Sequence, residues 1–332
     1  MIVTRAPLRV SFIGGGTDYP EFFEQDPGIV LGATINKYVY VNILKLSDDA
    51  RENYRFTYRK TESVEDFKDF EHPVVRETLR DMKWKEHLNI ATMADLPGNS
   101  GLGSSSSFAV ALILGLNAYR SDKIPPSGLA DTAVRIEREI LKEPGGWQDQ
   151  YHAAVGGFRK YLFSNSGVEF SEPLLNSDQL NSLCGYFYLV KVGKERASAI
   201  QAFQNISSGK ADNGKILLAQ LREATRDFES QLKQPNLSTN SIVAILCEAI
   251  NVSYKLKKEL TRDEYMELDQ IIDTARLNGA LAGKICGAGR SGYALLVIPP
   301  NDLSRVKIKL PDLNLIPIDF VEFGAQILVS GA

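Results

Sequence analysis

The sequence is short of the residues that form disulfides and zinc sites. It has only three cysteines, Cys184, Cys247 and Cys286, which lie far apart and form no CxxC pair. This pattern predicts buried free thiols in a reducing compartment rather than disulfides or a metal centre. The three histidines are equally dispersed. Any metal is therefore expected to be magnesium, which oxygen ligands hold.

Long apolar runs and an excess of positive charge are also missing. The longest apolar run, residues 108–116, is too short to cross a bilayer, and Arg5 and Arg9 interrupt the stretch where the core of a signal peptide would lie. The 38 basic and 41 acidic residues leave a formal net charge of -3, whereas binding to nucleic acid requires a basic face. These features predict a cytoplasmic protein with no membrane partner and no nucleic-acid partner.

The remaining composition is that of an ordinary globular protein with two domains. The chain has 332 residues, of which 44% are hydrophobic and 24% are charged. Helical spacing dominates residues 196–282, whereas strand-like segments rich in Val, Ile and Tyr lie earlier, at 7–13, 28–46 and 87–97. Residues 51–72 resemble an exposed hairpin or insertion. Early strands and late helices predict an α+β fold in two lobes, which we place at residues 1–180 and 181–332.

The segment LPGNSGLGSSSSF at residues 96–108 carries the strongest chemical signal. Three glycines and four serines lead directly into a predicted buried helix, Ser106 to Tyr119. Backbone N–H groups at a helix N-terminus bind anions such as triphosphate, and serine hydroxyls there can donate to phosphate or coordinate magnesium. No lysine follows Gly103, so the segment is not a P-loop. A capped helix behind a flexible turn would explain fewer glycines and serines, which favours phosphate binding.

A GxGxxG pattern at residues 287–292 is a weaker signal. The dinucleotide fingerprint follows a strand and opens a helix. Here the glycines follow a helical stretch and precede the apolar segment YALLVIP. We therefore reject a nicotinamide-dependent dehydrogenase, and from the residues alone a tight turn remains one alternative for these glycines.

Three motifs together resemble those of the GHMP kinases, the superfamily of galactokinase, homoserine kinase, mevalonate kinase and phosphomevalonate kinase. PGNSGLGSSSS is similar to their phosphate-binding motif, and APLRVSFIGGGTDY and KICGAGRSGYALLV match two further motifs in the expected order. The resemblance implies an N-terminal lobe like domain 2 of ribosomal protein S5 and a ferredoxin-like C-terminal lobe, with ATP and substrate between them. The implied ATP contacts are Pro97, Gly98, Asn99, Ser100, Gly101, Leu102, Gly103, Ser104, Ser105 and Ser106, with Gly287 and Gly289 from the third motif.

Glu137 is the candidate magnesium ligand. It borders the apolar stripe of a helix predicted over residues 127–142, where a glutamate is costly unless it is paired or ligating. The residues alone favour a surface salt bridge with Arg135 or Arg138. The resemblance places a magnesium-binding glutamate at this position, with Ser105 as its partner.

Asp149 and Arg9 are the candidate catalytic residues. Asp149 lies between two glycine pairs and is, from the residues alone, either a helix N-cap or a carboxylate on a tight turn. It resembles the DQ of galactokinase-type enzymes, which implies a role as the base or in orienting the nucleophile. Arg9 matches the basic residue that follows AP in the family, where it stabilises the γ-phosphate and keeps the aspartate ionised. A surface position on a strand is the alternative for Arg9. Trp147 either stacks on the substrate or packs.

The GGGTD segment at residues 14–18 bears on the substrate. Mevalonate kinases and galactokinases usually have GEH there, and the glycines resemble the D-glycero-D-manno-heptose 7-phosphate kinases and similar sugar-1-kinases. Glycine widens the pocket, and Asp18 would accept hydrogen bonds from sugar hydroxyls unless it only forms the turn before Tyr19. The implied substrate contacts are Gly14, Gly15, Gly16, Thr17 and Asp18, with Lys194 and Arg196 for a substrate phosphate.

The resemblance therefore implies a kinase that uses ATP and Mg²⁺ to phosphorylate the anomeric C1 hydroxyl of a small sugar or sugar phosphate, with the heptose 7-phosphate as the expected substrate. A kinase for galactose, fucose or a uronic acid is the nearest alternative. A regulator that binds ATP or sugar without catalysis belongs to a different class. The sequence does not determine the oligomeric state, and a homodimer is one expectation.

Overall fold

Two β-sheets form the framework of the protein. The computed structural model describes residues 1–47, 52–98, 100–193, 214–261, 266–287 and 292–331. Within these ranges the first sheet has the strands β1 (Ile2–Ile13), β2 (Gly28–Lys45), β3 (Tyr54–Thr57), β4 (Thr61–Val64), β5 (Leu88–Ala94), β6 (Phe158–Ser164), β7 (Gly167–Phe170) and β12 (Gln326–Ser330). Their order is β12-β1-β2-β5-β3-β4, and β6 pairs with β2 and with β7.

The second sheet is antiparallel. Its strands are β8 (Phe187–Val192), β9 (Ala282–Ile285), β10 (Gly292–Val297) and β11 (Ile316–Ile318), in the order β11-β8-β10-β9. Most of their side chains are buried, so the strands consist largely of apolar residues. Two lysines are exceptions: Lys191 in β8 is exposed, whereas Lys284 in β9 is buried.

The described ranges also contain ten α-helices. They are α1 (Pro20–Phe23), α2 (Pro73–Asp81), α3 (Ser104–Tyr119), α4 (Pro126–Val134), α5 (Gln148–Val155), α6 (Ser177–Ser182), α7 (Gly214–Leu232), α8 (Thr239–Thr261), α9 (Met266–Leu277) and α10 (Leu303–Lys309). α4 continues directly into a π-helical turn, Arg135–Ile140. Across the described ranges, every helix is too short or too polar to cross a bilayer.

α3 lies at the centre of the first lobe. It packs on β1 and β2, and its side chains from Ser106 to Ile113 are all buried. Gly115 allows the close approach, because a Cβ atom there would lie 2.8 Å from Cδ1 of Ile43. Its enclosed position explains why this helix is largely apolar on all sides. The packing also fixes the N-terminus of α3, which lies at Ser104 within the glycine–serine segment.

The predicted α+β fold is confirmed, with differences at particular elements. Residues 52–72 contain the predicted hairpin, formed by β3 and β4, which is exposed on one face only: Tyr54 and Phe56 are buried, whereas Arg55, Thr61 and Ser63 are exposed. The helix predicted over residues 127–142 changes from α to π at Arg135. α2 and β12 were not predicted.

The division at residue 180 stays a prediction. The second sheet begins with β8 at Phe187, and the chain later returns to the first sheet, where β12 pairs with β1. The C-terminal part of the chain therefore contributes strands to both sheets.

Candidate active site

A cavity of about 280 Å³ lies between the glycine loops of the first sheet and the C-terminal helices α7 and α8. Its first wall consists of Arg9, Ser11, Gly15, Gly16, Asp18, Tyr19, Gly101, Gly103, Ser104, Ser105, Arg138, Pro144, Gly145, Gly146, Gln148 and Asp149. Its second wall consists of Leu217, Leu218, Leu221, Ser253, Leu256, Lys257, Leu260 and Lys284–Gly287. The cavity thus collects residues from all three sequence motifs.

The glycine–serine segment forms a tight turn before α3. Gly101 and Gly103 have φ of 75° and 80°, in the left-handed region that favours glycine. A Cβ atom on Gly101 would lie 2.5 Å from the carbonyl oxygen of Cys286, and one on Gly287 would lie 2.6 Å from Cα of Gly101. The turns of the second and third motifs therefore touch backbone to backbone, which only glycine permits.

The four serines at the start of α3 divide into two pairs. Ser104 and Ser105 line the cavity. Ser106 and Ser107 are buried, and the hydroxyl of Ser107 donates to the carbonyl oxygen of Pro7 at 2.8 Å. The first pair and the N–H groups of the first helical turn can thus bind an anion, while the second pair holds the helix in place.

Glu137 lies behind this turn and is fully buried. One carboxylate oxygen accepts from Ser105 Oγ at 2.9 Å, and the other accepts from Ser106 Oγ at 2.7 Å and from Gln150 Nε2 at 2.6 Å. The surface salt bridge with Arg135 or Arg138 does not form. Instead, Arg135 pairs with Asp81.

Ser105 and Glu137 fit magnesium in their donor chemistry, since both offer oxygen. Among the residues that the structure describes, no group of three or more His, Cys, Asp or Glu side chains could hold a metal ion. Magnesium is commonly held by one or two carboxylates together with phosphate oxygens and water. The pair therefore suits magnesium that arrives with a nucleotide.

Arg9 and Asp149 form an ion pair inside the cavity. Nη2 of Arg9 lies 2.7 Å from Oδ1 of Asp149, and Nη1 donates to the carbonyl oxygen of Gly101 at 2.7 Å. Arg9 is 6% exposed, so the interpretation as a surface residue is wrong. Asp149 is in the first turn of α5, after the N-cap Trp147, so it is not the N-cap itself. Trp147 packs edge-on against Phe23 and is not among the cavity-lining residues.

The GGGTD loop has two residues that serve the fold and three that face the cavity. A Cβ atom on Gly14 would lie 2.0 Å from the carbonyl oxygen of Ile29. The hydroxyl of Thr17 donates to Gly14 O at 2.8 Å and accepts from Ile29 N at 3.0 Å. These two residues fix the loop, whereas Gly15, Gly16 and Asp18 line the cavity.

Asp18 both lines the cavity and connects two loops. Its carboxylate accepts from Gly16 N at 2.8 Å and from Gln148 N at 3.2 Å. Burial raises the pKa of Asp18, as does the nearby charge of Asp149, against the opposing effect of these N–H groups. A Cβ atom on Gly146 would lie 1.8 Å from Oδ2 of Asp18. The carboxylate therefore sets the path of the segment that carries Asp149.

Other predicted contacts are not among the cavity-lining residues or fall outside the described residues. Pro97 and Gly98 are exposed, and Ser100 and Leu102 are buried in the protein. None of these four lines the cavity. The predicted site residues Asn99, Lys194, Arg196 and Gly289 lie outside the described residues.

Sequence reasoning missed several cavity residues. Arg138 lines the cavity and donates from Nε to the carbonyl oxygen of Gly146 at 3.3 Å. Lys257 and Lys284 line the opposite wall, and Gln148 lies beside Gly15. A signal existed for Lys284, because a lone charge inside an apolar strand must find partners within the protein.

The chain is similar to known proteins over most of its length. The model of the GHMP kinases N terminal domain matches residues 71–157, and that of the GHMP kinases C terminal domain matches residues 237–311. The chain is 28% identical over 321 residues to D-glycero-alpha-D-manno-heptose 7-phosphate kinase of Campylobacter jejuni, covering 90% of each protein. It is 25% identical over 315 residues to galactokinase of Thermococcus kodakarensis, covering 88% of each.

Solved structures share the fold. A D-glycero-D-manno-heptose 1-phosphate kinase from Bacteroides thetaiotaomicron has a TM-score of 0.78 at 23% identity, with 100% of both chains covered. Lactococcus lactis galactokinase complexed with galactose has a TM-score of 0.74 at 15% identity, with 98% and 95% covered. With both family domains and this fold, the chain belongs to the GHMP kinase superfamily, whose members are phosphotransferases with an alcohol group as acceptor.

Proposed function

We propose that the protein is an ATP- and Mg²⁺-dependent sugar kinase that phosphorylates an anomeric C1 hydroxyl, with D-glycero-D-manno-heptose 7-phosphate as its substrate. The observation that carries this proposal is the Arg9–Asp149 pair, which faces the cavity directly beside the glycine–serine turn. Phosphoryl transfer needs a phosphate cradle, a cation at the transferring group and an oriented nucleophile, and the cavity residues would provide the cradle and the cation and would orient the sugar hydroxyl.

The turn before α3 is the proposed phosphate cradle. The N–H groups at the start of the helix, with the hydroxyls of Ser104 and Ser105, would bind the ATP phosphates. Glu137 and Ser105 would hold magnesium, whose positive charge would offset that of the phosphates. The Gly287 turn packs on Gly101 and keeps the cradle in shape.

Asp149 is the proposed base. It would first accept a hydrogen bond from the C1 hydroxyl and then its proton. As the proton leaves, the C1 oxygen would form a bond to the γ-phosphorus. The bond between that phosphorus and the bridging oxygen would break and release ADP. Arg9 would stabilise the charge on the transferring group and holds Asp149 in place.

The charges of the cavity support a phosphorylated sugar. Among the residues that the structure describes, the cationic side chains that line it are Arg9, Arg138, Lys257 and Lys284, against the carboxylates of Asp18 and Asp149. This excess of positive charge suits two anionic substrates, ATP and a sugar phosphate. Arg138 lies near Asp18 across Gly146, and we propose it as a contact for the substrate phosphate together with the predicted Lys194 and Arg196.

The similarity to the Campylobacter jejuni enzyme, which is named for this substrate, supports the heptose, and the similarity to galactokinase supports the alternative of a neutral sugar. ADP release should be measured with heptose 7-phosphate, galactose, fucose and glucuronate, and the product examined by ³¹P NMR for an anomeric phosphate. Turnover restricted to the heptose phosphate is the expected result. Turnover of another sugar alone would replace the substrate, and nucleotide binding without turnover of any sugar would favour the regulator.

A further inference from the structure

Lys284 is a buried cation to which the proposed mechanism assigns no role. It lies in β9, whose four residues are all buried, and only 6% of the lysine is exposed. Its side chain nevertheless lines the cavity. A buried charge is costly unless its surroundings compensate it, so the partners of this ammonium decide what it can do.

The ammonium connects three elements. Nζ donates to the carbonyl oxygens of Ser11 at 2.9 Å and Phe12 at 3.2 Å on β1, and to Oγ of Ser253 on α8 at 3.0 Å. These contacts use all three N–H groups of an ammonium. The three acceptors are uncharged, so they satisfy the hydrogen bonds of Lys284 without neutralising its charge. A neutral amine has one N–H fewer and would lose one of these contacts.

The charged groups around Lys284 in the described part of the chain make its positive charge still less favourable. Burial lowers the pKa of Lys284 to about 7, and the positive charges of Lys257 on α8 and Arg9 on β1 act in the same direction. The thiol of Cys286, at the end of β9, acts in the opposite direction. On β10 the residue opposite Lys284 is the apolar Leu295. The charge of Arg9 is offset by Asp149, but that of Lys284 has no such carboxylate among these groups.

We propose that Lys284 acts as a proton-dependent positioning residue, which takes up a proton from solvent when the anionic phosphate chain of the nucleotide enters the cavity. This inference rests on the proposed function, because the anion is the nucleotide of that function. The phosphates supply the missing negative charge and favour the ammonium. The third hydrogen bond then ties β1, which carries Arg9, to β9 and α8.

Proton uptake can be measured directly with the full chain. The titration uses MgADP at pH 8 in two buffers of different ionisation enthalpy, and the buffer-dependent heat gives the number of protons bound. At pH 8 the phosphates are already ionised, since the second pKa of a phosphate group is about 6. We expect an uptake approaching one proton per nucleotide at pH 8 and little at pH 6. The affinity should fall by up to about tenfold per pH unit above pH 7.

Variants assign the proton to Lys284. Lys284→Arg keeps a cation that stays charged across this range, so binding should persist without proton uptake. Lys284→Met should lose both the uptake and much of the affinity. The matched control is Lys258→Met, since Lys258 is the next residue after Lys257 on α8 but pairs with Asp269 at 2.6 Å and does not line the cavity. It should keep the uptake of the wild type.

The outcomes separate this inference from the proposed function. Binding of MgADP by the wild type without buffer-dependent heat would overturn the role of Lys284 and leave the kinase proposal standing, and this measurement depends on no variant. Unchanged uptake in both Lys284 variants would also overturn it. Failure of the wild type to bind MgADP at all would overturn the nucleotide site and, with it, this inference.

Discussion

The guanidinium of Arg9 joins Asp149 to the glycine turn at Gly101. Nε and Nη2 of Arg9 lie 2.8 Å and 2.7 Å from the same carboxylate oxygen of Asp149, while Nη1 donates to the carbonyl oxygen of Gly101. One side chain thus fixes the distance between the proposed base and the proposed phosphate cradle. Proximity of this kind is a large part of what an enzyme contributes to phosphoryl transfer.

Substitution of Asp149 by Asn tests the proposed base. The amide keeps the shape of the side chain but cannot accept a proton, so kcat should fall by about 10²–10⁴-fold. The thermal midpoint should fall as well, because the buried Arg9 loses the carboxylate that offsets its charge. ADP release and a thermal melt measure the two effects. A variant with unchanged turnover would remove Asp149 from the mechanism while leaving the fold assignment intact.

Two substitutions of Arg9 separate its charge from its geometry. Arg9→Met removes both and should lower kcat by roughly 10²–10³-fold, the scale of losing one preorganised charge donor. Arg9→Lys keeps the charge but cannot reach Asp149 and Gly101 together, so its kcat should lie between those of the wild type and Arg9→Met. Steady-state kinetics with saturating ATP decide the order. Equal activity of Arg9→Lys and the wild type would mean that only the charge matters.

The sequence allowed prediction of those parts of the site that lie within short motifs. Gly101, Gly103 and the serines that follow predicted a phosphate-binding turn, because residues adjacent in the sequence determine a turn and a helix N-terminus. Arg9 and Asp149 are 140 residues apart. Their partnership followed from family resemblance, since no local pattern reports which distant segments meet.

Features that depend on long-range packing were not predictable. The π turn over Arg135–Ile140 changes the direction of the following side chains. Because α-helical spacing was assumed throughout, the sequence was consistent with a surface salt bridge for Glu137. The same spacing did not indicate that Arg138 lines the cavity. β12 was missed for a similar reason, because its pairing with β1 joins residues at opposite ends of the sequence.

Gly146 should tolerate no side chain. A Cβ atom there would overlap Oδ2 of Asp18 and push the segment that carries Asp149 out of position. A displacement of about 1 Å can cost about 10²-fold in rate, so Gly146→Ala should lower kcat by at least that factor. The matched control is Gly128→Ala in α4, where the new Cβ atom would make only ordinary contacts, the closest at 3.4 Å. Alanine there should leave kcat unchanged, and equal kinetics of the two variants would contradict the role of the Asp18–Gly146 contact.

Arg138 should distinguish phosphorylated from unphosphorylated sugars. If it contacts the substrate phosphate, Arg138→Gln loses a charge-assisted hydrogen bond worth about 1.5–3 kcal/mol, and KM for the sugar phosphate should rise by roughly 10–100-fold. KM for the corresponding unphosphorylated sugar should not change. Because Arg138 also donates to Gly146 O, a purely structural role would lower kcat for both substrates equally. That result would remove Arg138 from substrate recognition.

His152 should make the protein sensitive to acid. Its Nδ1 lies 2.8 Å from the carbonyl oxygen of Gln148, and its Nε2 has no hydrogen-bond partner among the described residues. Burial lowers the pKa of His152 to about 4. An unfolded histidine binds its proton below about pH 6.5. Between those values the unfolded state holds more protons than the folded state, so stability falls as the pH drops from 6.5 to 4, by up to about 3 kcal/mol.

Denaturant titrations of the wild type and of His152→Gln at pH 7.5, 6 and 4.5 measure this effect. The variant loses stability at every pH from imperfect packing, but its stability should depend less on pH across this window. Burial also lowers the pKa of His72, so the wild type and the variant share a residual slope of the same sign. Parallel pH profiles for the two proteins would show that the imidazole of His152 does not control acid stability.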